Sequence, residues 1–354
     1  MSLLLMLSIT LAGACHRADE AQAPVQAAPV RTSPLPEAAT PSAPQSLLSP
    51  TTVKLALPTI DLNYLLPLSV AQAQGFFTEE RIEAQWQQMV STVAIPALLN
   101  REVDLAPGGT VVTAAAQGAP LRAVFFPYNT STFQFSVDPR RVREPRDLVD
   151  QTVGIASVRS SQEIATRLIL RSLGVDPLAV KYLPLGGEHN RVAAMLSGQI
   201  VASANNPNVA VELRRQGFSI IANSATVFPV PWSGYGTHLS YIQEHGPTLR
   251  AWMRAMIRAL QFVRQNPATA AENAARALDM DPTIVQESLP LLLETMYPED
   301  PGGFTETGML ELIRVLREDE PGMREAPIDE VADVMPLREA QRSLGVYCRG
   351  GYKC

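Results

Sequence analysis

Val53-Lys54-Leu55-Ala56-Leu57-Pro58-Thr59-Ile60-Asp61 runs directly into Leu62-Asn63-Tyr64-Leu65-Leu66-Pro67-Leu68-Ser69-Val70-Ala71-Gln72-Ala73-Gln74-Gly75, and the fold turns on this stretch. Val53 to Leu57 reads as a β-strand. Leu65 to Gln74 predicts a helix closed by Gly75, because glycine accepts the left-handed backbone of a helix end without strain. Ile82 to Gln87 alternates apolar and polar residues and predicts the next strand. The unit then repeats as helix 93–99, strand 103–106 ending at Gly108-Gly109, helix 111–117 stopped by Gly118, and strand 121–126. It restarts after Asp147-Leu148-Val149 with strand 152–156 and helix 160–173, where Ser160 and Glu163 have capping-box spacing. Strand 180–184, helix 191–196, strand 200–204, helix 208–216 and strand 218–222 follow. Such alternation predicts parallel sheets flanked by helices, and two runs in succession predict two α/β lobes.

The last third is mainly helical. Leu249, Trp252, Met253, Met256, Ile257, Leu260 and Val263 fall on one helical face. Arg250, Arg254 and Arg258 form a separate stripe, read as a solvated face or a docking surface. Asn266-Pro267 breaks this helix before another begins near Thr269.

The other end of the chain reads as an address. Residues 3–11 form an apolar run too short to span a bilayer as a mature helix, but of signal-peptide length. It leads into Leu11-Ala12-Gly13-Ala14-Cys15, which resembles a bacterial lipoprotein cleavage box. That resemblance implies a signal peptide at 1–15 and a lipid on Cys15. An ordinary secretory signal with Cys15 merely nearby is the alternative. Residues 16–50 carry Pro24, Pro29, Pro34, Pro36, Pro41, Pro44 and Pro50 and no aromatic residue. A stretch of this composition cannot build a core and reads as an extended tether.

The 354 residues are 46% hydrophobic and 18% charged, enough to bury a sizeable core, and the net charge of −6 argues against a nucleic-acid partner. The three cysteines, Cys15, Cys348 and Cys354, lack the paired spacing of a zinc site. Cys348 and Cys354 could form a small disulfide or remain free thiols. No nucleophile elbow, phosphate loop or His-Glu-x-x-His motif occurs. Three histidines fall in the folded part. His189 reads as a surface or capping residue, and a metal on His238 and His245 would need further carboxylates. No metal and no cofactor is expected.

Taken in order, the residues carry a family resemblance. Ala71-Gln72-Ala73-Gln74-Gly75-Phe76-Phe77 resembles the opening of the nitrate/sulfonate/taurine-type substrate-binding proteins of ABC importers, a family that includes the thiamine-precursor binders. Ala97 to Ala106, Gln117-Gly118-Ala119-Pro120-Leu121, Asp147-Leu148, Val153-Gly154, Leu170 to Gly174, Met195 to Gln199, Asn266-Pro267 and Glu339-Ala340 continue the series. Gln199-Ile200-Val201 departs from it, since the family commonly has an acidic residue there. The resemblance covers residues 51–345. It implies the type II periplasmic-binding fold, an α/β architecture of two lobes with a hinge, a ligand cleft and a helical C-terminal region. Lobe 1 would comprise 51–133 and 233–354, and lobe 2 would comprise 134–232. It further implies a monomer in the periplasm or at the cell surface that takes a small solute and works with a permease and an ATPase. The solute would be a sulfonate, a nitrate-like anion or a heterocyclic precursor. A pyrimidine-forming enzyme of the thiamine-precursor type is the catalytic alternative, weakened by the absence of cysteine from 51–345. A ligand-sensing module for a membrane receptor is a third reading.

Open α/β sheets bind ligands beyond the carboxyl ends of their strands. That rule nominates Thr59, Asp61, Asn63 and Tyr64 after the first strand, Ser91 and Thr92 after the second, and Gly109 and Thr110 after the third. Tyr128 and Asn129 lie in the first crossover, and Trp232 and Tyr235 near the return. Ser157, Arg159, Ser160 and Ser161 open a helix whose N-terminus would favour an anion or polar head group. Asn205 and Asn206 follow another strand. Several have bland alternatives: Asp61 and Ser160 as helix caps, Arg159 as a solvent-facing charge, and Trp232 and Tyr235 as packing residues.

Overall fold

The computed structural model describes residues 49–158, 160–319 and 322–354. The expected signal peptide, Cys15, nearly all of the 16–50 stretch and Arg159 therefore lie outside the described residues. The first region contains β1 (Thr51–Leu57), α1 (Leu62–Ala73), α2 (Phe76–Glu79), β2 (Ile82–Gln88), α3 (Ser91–Leu99), β3 (Ala106–Pro107), α4 (Gly108–Ala116) and β4 (Leu121–Phe125). A second region follows with β5 (Gln134–Val137), β6 (Thr152–Ile155), α5 (Ser161–Ser172), β7 (Lys181–Pro184), α6 (Glu188–Leu196), β8 (Ala202–Asn205), α7 (Pro207–Arg215) and β9 (Ser219–Asn223). The chain then returns through β10 (Tyr235–His238). It continues into α8 (Leu239–Glu244), α9 (Gly246–Gln265), α10 (Pro267–Leu278), α11 (Pro282–Leu293), α12 (Glu306–Asp319), α13 (Ile328–Val331) and α14 (Met335–Ser343).

The strands assemble in one order twice. β1 pairs with β2 in parallel, a parallel bridge between Leu55 and Leu105 joins β1 to the β3 edge, and β3-β10-β4 completes the row as β2-β1-β3-β10-β4. The second sheet runs β7-β6-β8-β5-β9. In each, the fourth place is filled by a strand that arrives from the other half of the chain. β10 lies antiparallel to β3 and β4, and β5 lies antiparallel to β8 and β9. The expectation of wholly parallel sheets is thus corrected: the two crossover strands run against their neighbours. This reciprocal exchange of one strand is the periplasmic-binding architecture, and it makes each sheet depend on the other region of the sequence.

The α9 face expected to be apolar is buried throughout, from Leu249 and Trp252 to Val263. Each such large side chain removed from water contributes roughly 1.5–3 kcal/mol. The arginine stripe on α9 is not a bare solvated face. Arg250 pairs with Glu339 of α14 at 3.1 Å, Arg254 with Glu80 beside α2 at 2.9 Å, and Arg258 with Glu79 at 2.6 Å. The Arg258 guanidinium also lies 4.3 Å from the centre of the Phe76 ring. The stripe fastens α9 to its neighbours instead of awaiting a partner. Near the C-terminus the Cys348 and Cys354 sulfurs are bonded, with Cα atoms 5.4 Å apart. Among the described residues no helix is long and apolar enough to cross a membrane.

Candidate functional site

α1 begins at the tip of β1, and its start is built by side-chain capping. The Asp61 carboxylate accepts the Tyr64 backbone N–H at 3.2 Å and the Thr59 hydroxyl at 2.7 Å. A carboxylate at this position satisfies donors that a helix start leaves unpaired. Pro67 lies inside α1 and has no N–H, so the Asn63 carbonyl one turn earlier loses its helical partner. The Tyr128 hydroxyl from the first crossover donates to that carbonyl at 2.9 Å. Tyr128→Phe is therefore expected to strand a buried carbonyl and to cost about 1–2 kcal/mol of stability, measurable by urea denaturation. An unchanged midpoint would contradict this account of Pro67.

At this same point the second region meets the first. Asn206, at the tip of β8 and the start of α7, donates from Nδ2 to Asp61 Oδ2 at 3.1 Å. Its Oδ1 accepts Asn63 Nδ2 at 3.0 Å. Its backbone N–H goes to Glu188 Oε1 at 3.0 Å, at the start of α6. One asparagine thus ties three polar groups from two sheets. Tyr64 and Tyr235 pack edge to face beside them, with centroids 5.8 Å apart. The Tyr235 hydroxyl and Asn63 Oδ1 are buried and have no hydrogen-bond partner among the described residues.

The junction is acidic, with Asp61 and Glu188 half-buried and Thr59 exposed at its edge. Burial, seconded by the Glu188 charge, pushes the Asp61 carboxyl up to about 6, against the pull of the Thr59 hydroxyl and two backbone N–H groups. Burial also raises Glu188, offset in part by the Asn206 N–H and by Arg191. Arg191 lies 3.6 Å from the Glu188 carboxylate, and burial lowers its own pKa. Tyr64, Tyr128 and Tyr235 are all pushed up by burial, with the Asp61 charge adding to it.

The nominated residues divide into those the structure gathers here and those it places elsewhere. Thr59, Asp61, Asn63, Tyr64, Tyr128, Asn206 and Tyr235 form one connected set. Trp232 joins it through its backbone N–H, which donates to the Tyr128 carbonyl at 2.8 Å. Thr110 donates to Ser91 at 3.1 Å, linking the starts of α3 and α4, with Thr92 exposed and Gly109 half-buried beside them. The Asn129 side chain accepts the Thr305 N–H at 3.3 Å and its backbone N–H reaches Thr295, so it anchors the C-terminal segment. The Ser160 hydroxyl accepts the Glu163 N–H at 3.2 Å as an N-cap, and it donates to Ser157; Ser161 is exposed. Asn205 is fully buried and turns Nδ2 back to the Ser203 carbonyl at 3.0 Å, leaving Oδ1 without a partner among the described residues. Glu188 and Arg191 were not anticipated. The helix was expected to start at Arg191, whereas α6 starts at Glu188 after Gly186-Gly187.

Two cavities lie away from the junction. One of about 160 Å³ is lined by Arg101, Asp104, His238, Tyr241 and His245, and one of about 250 Å³ by Leu260, Arg264, Met296 and Tyr297. The carboxylate of Asp104 in the first is held by the Lys54 N–H at 2.8 Å.

Comparison with known proteins converges on the same architecture. A family model described as NMT1/THI5 like matches residues 63–270. The riboflavin-binding protein RibY of Chloroflexus aurantiacus is 25% identical over 320 residues, 84% of this chain and 89% of that protein. The formylaminopyrimidine-binding protein of Halalkalibacterium halodurans is 26% identical over 260 residues, 67% of this chain and 74% of that protein. Among solved structures, the alkanesulfonate-binding protein SsuA of Xanthomonas axonopodis, bound to MOPS, superposes with a TM-score of 0.61 at 17% identity, covering 78% of this chain and 96% of that one. The desulfurization enzyme DszB superposes with a TM-score of 0.58 at 14% identity, over 83% of this chain and 99% of that one, so the fold also carries catalysis elsewhere. The chain belongs to the NMT1/THI5-like family and has the fold of the periplasmic solute-binding proteins.

Proposed function

We propose that this protein is the extracytoplasmic solute-binding component of an ABC importer and that it closes on a small nitrogen heterocycle at the Asp61–Asn63–Asn206 junction. Lobe 1 comprises residues 51–133 and 233–354, lobe 2 comprises 134–232, and Cys15 carries the lipid that holds the protein at the membrane beside its permease and ATPase. The observation that carries the reading is Asn206, which extends from the second sheet to hydrogen-bond Asp61 and Asn63 of the first. Contacts that span two lobes favour the closed state in proportion to their differential affinity, and that differential drives hinge closure.

The chemistry of the junction narrows the solute. Asp61 and Glu188 are acceptors, Asn63 and Asn206 offer both donors and acceptors, and the buried rings of Tyr64, Tyr128 and Tyr235 back them from the core. Such a set suits a flat ring carrying N–H donors. A sulfonate or nitrate would bring negative charge against two half-buried carboxylates, and like charges repel. The heterocyclic alternative is therefore preferred over the anionic one. The names of the two curated relatives, a riboflavin binder and a formylaminopyrimidine binder, point the same way.

A thermal-shift screen tests this reading. Riboflavin and formylaminopyrimidine are expected to raise the melting temperature with increasing concentration by mass action. Taurine, MOPS and nitrate are expected to leave it unchanged. A shift with the anions and none with the heterocycles would overturn the assignment.

A further inference from the structure

Helix α7 is committed at both ends. Its first turn carries Asn206 into the junction. At its far end, about 13 Å away at 1.5 Å per residue, Arg214 and Arg215 reach across to α11. Arg214 Nη2 lies 2.9 Å from Glu287 Oε2, and Arg215 Nη2 lies 2.6 Å from Glu287 Oε1. Arg215 Nη1 reaches Asp281 at 3.2 Å, and Arg215 Nη2 also donates to the Thr283 hydroxyl at 2.7 Å. Asp281 is not free to drift, because its carboxylate also accepts the Thr283 N–H at 2.9 Å as the cap of α11. The two arginines hold Glu287 below the usual carboxylate range, and Asp281 is lowered chiefly by the Thr283 N–H and hydroxyl, with Arg215 adding to it. Their place in the last turn of α7 is also where the helix dipole favours cations.

This clasp joins different halves of the fold. α7 follows β8 of the second sheet. α11 packs on α10, which packs on α1 and so belongs to the first sheet's helical layer. α7 therefore bridges the two regions twice, once through neutral and acidic groups in the site and once through an ion-pair network on the surface. Single exposed ion pairs contribute little, but here one carboxylate takes two arginines and one arginine takes two carboxylates, so the pairs act together. Any free energy stored there weights the closed arrangement before a solute arrives.

We propose that the Arg214/Arg215–Asp281/Glu287 clasp is a latch that positions α7, and through it Asn206, and so sets apparent affinity by fixing the closed fraction of the solute-free protein. The proposal rests on the reading that the two lobes close on a solute. Apparent affinity scales with the closed fraction, so loss of the latch weakens binding without touching a ligand contact. Screening by salt weakens the latch in the same way.

The test uses the full-length protein with donor and acceptor dyes on azide-bearing residues introduced at the exposed Leu178 and Glu272, one on each side of the junction. Energy transfer is recorded without solute from about 0.02 to 1 M salt. The wild type is expected to lose transfer as salt rises. Glu287→Gln should start at the low-transfer level and stay there, and Glu318→Gln, which breaks a pair within α12, should follow the wild type. Glu287→Gln should also weaken riboflavin or formylaminopyrimidine by about 3- to 10-fold, mainly through faster release. Superimposable transfer curves for wild type and Glu287→Gln at every salt concentration would overturn the latch. If neither heterocycle binds the wild type, the solute assignment fails instead, while the transfer curves still decide the latch.

Discussion

Asn206→Ala is expected to weaken solute binding by about 100-fold, through a lower closed fraction, and to lower the solute-free melting temperature as well, because both of its side-chain bonds are made without solute. The side chain joins Asp61 and Asn63 across the two sheets. Removing it takes away one hydrogen bond to a carboxylate and one to a neutral amide. Hydrogen bonds to charged groups contribute about 1.5–3 kcal/mol and neutral ones about 1, and a loss near 2.7 kcal/mol is about 100-fold in affinity. The backbone N–H of residue 206 still reaches Glu188, so the start of α7 keeps its anchor. Calorimetric titration with riboflavin or formylaminopyrimidine reads the effect. Undiminished affinity would place the solute elsewhere in the molecule.

Asp61→Asn is expected to stabilise the solute-free protein at pH 8 by up to about 3 kcal/mol and to do nothing of the kind at pH 4. The Asp61 carboxyl titrates at about 6 in the folded protein, against an ordinary 3.8. The folded state therefore holds this proton more tightly than the unfolded chain. Stability is lost as pH rises from about 4 to 6, because the unfolded chain ionises freely while the folded one resists. Two pKa units correspond to about 3 kcal/mol, fully felt above pH 6. Asparagine keeps Oδ1 for the Tyr64 N–H and can donate its amide N–H to the Thr59 oxygen, at the loss of the Asn206 Nδ2 bond, and because it never ionises it escapes the penalty. It also relieves Glu188, whose charge raises Asp61. Denaturant midpoints at the two pH values check this, and equal differences at both would contradict it. A solute N–H that meets Asp61 should bind less well to the variant, so stability and affinity should move in opposite directions. That opposition marks a residue kept for function at a cost in stability.

Most of the fold was legible because strand and helix periods differ and because glycines close many of the helices. Gly75, Gly118, Gly174, Gly198 and Gly217 all adopt positive φ at or just beyond helix ends. The two crossover strands were not legible. All four residues of β5, Gln134-Phe135-Ser136-Val137, are buried, so polar Gln134 and Ser136 do not mark a wet face. In β10, Gly236 breaks the apolar pattern because Val111 packs where its side chain would be, 2.5 Å from an added Cβ. The candidate site was readable where a strand tip leads directly into a cap, as at Asp61 and Asn206. Glu188 was hidden because Gly186-Gly187 reads as loop and because its partner, the Asn206 backbone, is near it only in the folded chain. The same holds for Arg254 and Arg258 on α9, whose carboxylates, Glu80 and Glu79, sit at the end of a four-residue helix too short to show a period, and for Arg250, whose partner Glu339 is far away in sequence.

Hydrogen–deuterium exchange with and without riboflavin or formylaminopyrimidine tests the central claim most directly, because it reports both halves of the junction at once. The account predicts that solute protects the amides at the start of α1, residues 61–66, together with those at the tip of β8 and start of α7, residues 204–209. Protection confined to one of these segments, or centred on the cavity lined by His238 and His245, would contradict it.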